Sequence, residues 1–154
     1  MVTDKKKVQK FKDCSPRKKI LVVCGGLSGE REVSLSSGRE CTRALTSAGY
    51  EVREVDFSSL EEFISQVKTF RPDVIFNALH GSWGESGQFQ GILDFINIPY
   101  THSGLLSSAL AMNKYVTKEF LDQRGIPTPN GFLITKDDIK DFDRDKKINF
   151  PCVI

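Results

Sequence analysis

The stretch Gly25-Gly26-Leu27-Ser28-Gly29-Glu30-Arg31-Glu32-Val33-Ser34 decides the fold. It follows the apolar run Ile20-Leu21-Val22-Val23-Cys24 and opens a helical pattern in which Val33, Ser37, Cys41, Ala44, Leu45 and Ala48 fall near one stripe. That order is a strand, a glycine-rich turn and a helix. It places backbone N–H groups and a helix N-terminus at the carboxyl end of a parallel strand, where open α/β sheets bind ligands. Glu30, Arg31 and Glu32 sit in the turn itself. A turn that only reverses the chain does not need three charges.

Downstream the alternation continues. The expected helix from Val33 to Ala48 stops at Gly49, and Glu51–Asp56 reads as the second strand. Ser58 with Glu61, or Ser59 with Glu62, gives a capping-box signature for a helix to Phe70 whose apolar face is Leu60, Phe63, Ile64 and Val67. A third strand is expected over Asp73–Leu79, a loop over Ser82–Gly87, a helix over Gln88–Asn97, and a short fourth strand at Ile98–Thr101. The fold class is therefore α/β, an open parallel sheet with flanking helices and right-handed crossovers. Gly104–Met112 and Lys114–Arg124 read as two further helices, with Asn113 as an N-cap between them. Phe132–Thr135 and Phe150–Ile154 read as strands, with a short charged helix around Lys136–Phe142.

Charge is unevenly placed. Residues 1–19 carry eight Lys or Arg against Asp4 and Asp13, a surplus of six, so the remainder is mildly acidic although the chain totals +2. The expected organisation is a disordered basic tail over 1–18, an α/β domain over 19–112, and the start of a second domain over 113–154. The tail lacks the apolar core of a secretory signal, and no run is long enough to span a membrane. It also lacks the aromatic interleaving of a nucleic-acid arm. Cys14, Cys24, Cys41 and Cys152 show no CxxC spacing, so they are expected reduced and the protein cytoplasmic. With only two histidines, His80 and His102, no metal site is expected within the chain. An apolar run that ends at Ile154 leads to the expectation of an incomplete, N-terminal part.

The motifs narrow the chemistry. Gly25, Gly26 and Gly29 miss the dinucleotide spacing, although Asp56 at the end of the second strand is placed like a ribose-binding acid. Three loops converge at one sheet edge: Gly25–Glu32, His80–Gly87 and Tyr100–Gly104. They suit a small zwitterion, with Glu30 for an ammonium and His80 or helix N–H groups for a carboxylate. Each group also has a purely structural reading. Glu30 and Glu32 complement a helix dipole, Arg31 pairs with the neighbouring glutamates, and a histidine ends a strand.

Four segments, GGLSGEREVSL (25–35), NALHG (77–81), GQFQGILDFINIPYTHSG (87–104) and SALAMNK (108–114), resemble D-alanine–D-alanine ligase in order and spacing. This is an ATP-grasp family of peptidoglycan precursor synthesis. The resemblance runs from Lys19 to Ile154 and implies a Rossmann-like pre-ATP-grasp domain followed by the start of an ATP-grasp domain. It implies that Glu30 orients the amino group of the first D-alanine, that Val33, Ser34 and His80 line that substrate, and that Lys114 reaches ATP. It implies Mg2+ or Mn2+ held by residues outside the chain, a homodimer, and no nucleic-acid or membrane partner. The chain alone is then expected to be inactive. Ser86 stands where the family has an aspartate, Asn113 replaces an aspartate before the lysine, and His102 stands where glycine is common. A related ligase with a D-lactate or D-serine acceptor, and a non-catalytic nucleotide- or metabolite-binding module, are the alternative readings.

Overall fold

The computed structural model describes residues 18–138. The basic tail, the charged helix beyond Asp138 and the terminal apolar run fall outside the described residues. The chain divides into two compact units, Met1–Asn113 and Lys114–Ile154.

The first unit is built on a three-stranded parallel sheet in the order β2-β1-β3, with β1 at Lys19–Gly25, β2 at Glu51–Phe57 and β3 at Val74–Asn77. Its helices are α1 (Arg31–Ser47), α2 (Leu60–Phe70), the single turn α3 (Ser82–Glu85), α4 (Gln88–Ile96) and α5 (Leu105–Met112). β1 is apolar at nearly every position because it is central and covered on both faces. Its side chains alternate between two cores. Leu21 and Val23 join Val55, Phe57, Phe63, Ile75, Phe89 and Leu93 on one face. Ile20, Val22 and Cys24 join Ala78 on the other, with Leu35, Leu45 and Phe76 packed against them. Phe57, Phe63 and Phe89 meet edge-on or tilted at centroid distances of 5.3–5.8 Å, the geometry aromatic quadrupoles favour.

The strand–turn–helix order is as expected, but the buried stripe of α1 is different. Val33 is 57% exposed, whereas Ser34 and Gly38 are buried. The reason is close approach. A Cβ on Gly38 would lie 2.5 Å from Cys24 Cβ, so α1 lies on β1 through its smallest residues and not its largest. At α2, Ser59 is the N-cap and accepts from the Glu62 N–H at 3.2 Å, which selects the second of the two capping alternatives. Ser58 instead donates to the Glu62 carboxylate at 2.6 Å.

Three expectations are corrected here. The fourth strand shrinks to one parallel bridge, Ile75 to Tyr100. Pro99 has no N–H to donate, and His102 turns the chain away at φ 95°, so the ladder cannot extend. Ser82–Glu85, expected as loop, forms a helical turn in which the Glu85 N–H donates to the Gly81 carbonyl at 3.0 Å. In the second unit, α6 (Lys114–Asp122) forms, but residues 131–135 pair with no strand, and Phe132 and Leu133 are more than half exposed.

Candidate functional site

The carboxyl ends of β1 and β3 lie side by side, because the two strands pair from Ile20–Val74 to Val23–Asn77. The turns that leave them are therefore neighbours. One carries Glu30 into α1 and the other carries His80 into α3. Ser28 joins them: its hydroxyl donates to the His80 carbonyl at 2.8 Å and accepts from the Glu30 N–H at 3.2 Å. A Cβ placed on Gly81 would lie 3.7 Å from Glu30 Cδ, so the carboxylate and the His80–Gly81 backbone face each other closely.

Glu30 caps α1 through its backbone, with its carbonyl accepting from the Ser34 N–H at 3.0 Å. Its carboxylate makes no capping bond, and Glu30 is exposed. Among the described residues it has no ion-pair partner. The neighbouring Arg31 behaves in the opposite way. Its guanidinium takes both oxygens of Asp56 in a bidentate pair, with Nη1 at 2.7 Å from Oδ1, and it also reaches the Gly26 carbonyl at 3.3 Å. The hydrogen bond to Asp56 raises the arginine above its ordinary pKa. Two sequence readings are corrected by this pair. Arg31 does not pair with Glu30 or Glu32, and Asp56 is occupied by Arg31 instead of standing free for a ribose. Gly25 makes the arrangement possible: it adopts φ 77°, and a Cβ there would strike Asp56 Oδ1 at 2.1 Å.

His80 is held on both ring nitrogens. Ser37 Oγ lies 3.2 Å from Nε2, and Glu85 Oε1 lies 3.6 Å from Nδ1. The imidazole is about one-third exposed, so it keeps an open side. Val33 presents its isopropyl group to solvent in the first turn of α1. Ser34 does not reach the surface: it is fully buried and its hydroxyl donates to the Ala78 carbonyl at 2.7 Å. The ligand contact expected of Ser34 is thus replaced by a tie between α1 and the end of β3. Lys114 opens α6 in the second unit and is exposed. The first unit brings together Glu30, Val33 and His80 only.

Four residues that hold the site were not singled out from sequence: Ser28, Ser37, Asn77 and Glu85. Asn77 carried a signal, an amide within an otherwise apolar buried strand. It is 2% exposed. Its Nδ2 lies 3.0 Å from both the Gly84 carbonyl and His102 Nδ1, and its Oδ1 accepts from the Leu79 N–H at 3.1 Å. Gln90 Nε2 donates to the same Gly84 carbonyl at 2.7 Å. The turn that carries Glu85 is therefore pinned from beneath by two buried amides. His102 lines a shallow depression with Leu93, Ile98 and Tyr100, apart from Glu30 and His80.

Among the described residues no three His, Cys, Asp or Glu side chains come together as metal ligands, and no helix is long and apolar enough to cross a membrane. Under β1, burial pushes the Cys24 thiol up to about 11, with Glu54 and Asp56 adding to the shift. It is a packed thiol, not a nucleophile.

Known proteins place this edge in context. A family profile described as D-ala D-ala ligase N-terminus matches residues 54–103. D-alanine–D-alanine ligases of Ruegeria sp. (strain TM1040) and Cereibacter sphaeroides (strain ATCC 17025 / ATH 2.4.3) are each 50% identical, over 121 and 123 residues. Those alignments take in 79% of this chain and 39% of each relative. A crystal structure of D-alanine–D-alanine ligase from Bacillus anthracis superposes with a TM-score of 0.69 at 35% identity, covering 84% of this chain and 41% of that one. The same enzyme complexed with ATP gives a TM-score of 0.67 at 32% identity, covering 80% of this chain and 44% of that one. The chain thus spans about two-fifths of the length of the relatives it matches. Sheet order, turn placement and these alignments together assign the chain to the D-alanine–D-alanine ligase family, whose N-terminal region it matches.

Proposed function

We propose that the first unit supplies the amino-acid-binding edge of an ATP-dependent ligase that joins two D-alanine molecules through an acyl phosphate, for peptidoglycan precursor synthesis. The observation that carries this reading is Glu30. It is an exposed carboxylate without a side-chain partner, set at the start of α1 and against the His80 turn, while the arginine beside it is already consumed by Asp56. An unpaired carboxylate in a fixed turn is a receptor for an ammonium group.

In this reading Glu30 accepts the ammonium of the first D-alanine. Val33, exposed one turn along, covers the methyl group. His80 faces the substrate with the open side of its ring. Ser34 acts from beneath by tying α1 to Ala78. Lys114, at the start of the second unit, contacts ATP. The donor set of residues 18–138 does not fit a magnesium or manganese ion, so none of the cation's chemistry is assigned to them. A homodimer in the cytoplasm completes the proposal.

Isotope-labelled chain titrated with D-alanine tests the binding edge directly. D-alanine should shift the amide signals of Gly26–Ser37 and His80–Gly87, and L-alanine should shift them much less. Equal responses to both enantiomers, or none at these segments, would remove the reading.

A further inference from the structure

We infer that Glu85 is the positioning residue of His80. Its carboxylate at Nδ1 and the Ser37 hydroxyl at Nε2 hold the imidazole with its proton on Nδ1 and its Nε2 lone pair turned toward α1. Use of this ring in substrate binding rests on the function proposed above, but the clamp does not.

The argument begins with donors and acceptors. A carboxylate only accepts, so the ring nitrogen facing Glu85 is the one that carries hydrogen in the neutral imidazole. The other nitrogen is then an acceptor, and a hydroxyl, which donates or accepts as required, supplies its hydrogen to Nε2. Glu85 can enforce this only if it is itself fixed, and it is. Its N–H is bonded to Gly81, and the preceding Gly84 carbonyl receives both Asn77 and Gln90. Gly84 is pressed so close to Leu79 that a Cβ there would lie 2.4 Å from Leu79 Cβ, which leaves the turn no room to shift inward. From the other side, Ser28 holds the His80 carbonyl. Backbone and ring of His80 are thus constrained at three points, each by a different segment.

The second histidine is an internal reference of opposite sense. His102 Nδ1 faces the Asn77 side-chain NH2, a donor only, so Nδ1 accepts and the proton of His102 lies on Nε2. The chain contains no other histidine. Two imidazoles in opposite tautomers are therefore expected in one spectrum.

The test is long-range 1H–15N correlation of the ring nitrogens in the 154-residue chain, in alkaline buffer where both imidazoles are neutral. His80 is expected to show the Nδ1–H pattern and His102 the Nε2–H pattern. In Glu85→Ala, His80 should move to predominantly Nε2–H, the form free imidazole side chains prefer, while His102 stays unchanged and reports an intact fold. If Glu85→Ala also disturbs His102, Glu85→Gln decides. A glutamine amide accepts or donates, so both His80 tautomers should become populated. An Nε2–H pattern for His80 in the unsubstituted chain, or a His80 pattern indifferent to both substitutions, would overturn the assignment. Added D-alanine should perturb Nε2 of His80 in the unsubstituted chain more than in Glu85→Ala. Expected tautomers with no response to D-alanine would leave the clamp standing and remove the proposed function instead.

Discussion

The two turns that meet at the sheet edge are built by different means. The first, Gly25–Ser34, is assembled from its own residues and the strand beside it: Glu30 caps its helix by backbone, Arg31 reaches Asp56 on β2, and glycine admits both. The second, His80–Glu85, owes its shape to residues beneath it or far from it in sequence: Asn77, Gln90, Ser28 and Ser37. A locally built turn tolerates loss of one surface contact, whereas a turn hung on buried amides does not. The same contrast assigns roles. The first turn exposes an unpaired charge, and the second holds a ring still.

The sharpest break of this contrast is Asn77→Ala. It strands the buried Leu79 N–H and removes one of two donors from the Gly84 carbonyl. Leaving a buried donor unpaired costs about 1–3 kcal/mol, and the lost packing adds to it, so about 2–4 kcal/mol of unfolding free energy should disappear. Urea denaturation of the chain measures it. A loss below ~1 kcal/mol would mean that the second turn is not supported from beneath.

Alkali probes the layer under the first turn. Cys24 is raised from an ordinary 9.0 to about 11 in the fold. Between those values the unfolded chain has released the thiol proton and the folded chain has not, so stability falls as pH rises through this window. The contribution is fully present below pH 9 and is lost by about 11, roughly 2–3 kcal/mol in all. Cys24→Ala should flatten that part of the pH profile. Equal alkaline slopes in the two proteins would contradict a desolvated Cys24.

Glu30→Gln asks whether the exposed charge of the first turn is functional. Loss of a charge-assisted hydrogen bond costs about 1.5–3 kcal/mol, or roughly 10- to 100-fold in kcat/KM for the first D-alanine. In a ligase carrying these residues the KM for ATP should change little. If Glu30 only complemented the dipole of α1, the signature would be under ~1 kcal/mol of stability and no selective effect on D-alanine. Steady-state kinetics with each substrate varied in turn separates the two.

Much of this was legible in the sequence where the determinants are local. The β1 run, the turn and the start of α1 follow from apolar alternation and glycine placement, and Glu30 stood out as a charge in a turn. The stripe of α1 was misread because periodicity rewards large apolar residues. Contact with β1 instead selected Ser34 and Gly38, a demand visible only once Cys24 lies against the helix. Glu85, Ser37 and Asn77 were illegible for a related reason. Their partners are His80 and Gly84, and a hydrogen bond across 43 residues, as between Ser37 and His80, leaves no pattern in spacing. The fourth strand failed because two apolar residues before a proline look like a strand, but a proline and a histidine at positive φ end the pairing after one residue.

The smallest expected effect comes from the pair that most changed the reading of the first turn. Arg31 and Asp56 are each about half-exposed, with side chains 40% and 45% accessible. An exposed pair is screened by salt and gains little over solvation of its separate partners. Asp56→Asn should therefore shift the thermal midpoint only slightly, and high salt should abolish the difference. Its interest lies in what Arg31 does next. With its carboxylate partner neutralised, the guanidinium is released beside Glu30, one residue away, and competes for it with a bound ammonium. D-alanine affinity should weaken in Asp56→Asn by well under the 10- to 100-fold expected of Glu30→Gln, and the weakening should diminish as salt screens the freed cation. If Asp56 served a ribose instead, NADH would raise the midpoint of the unsubstituted chain and not of the variant. Calorimetry with NADH and with D-alanine, at low and high salt, distinguishes a carboxylate that keeps an arginine away from Glu30 from one that binds a ligand of its own.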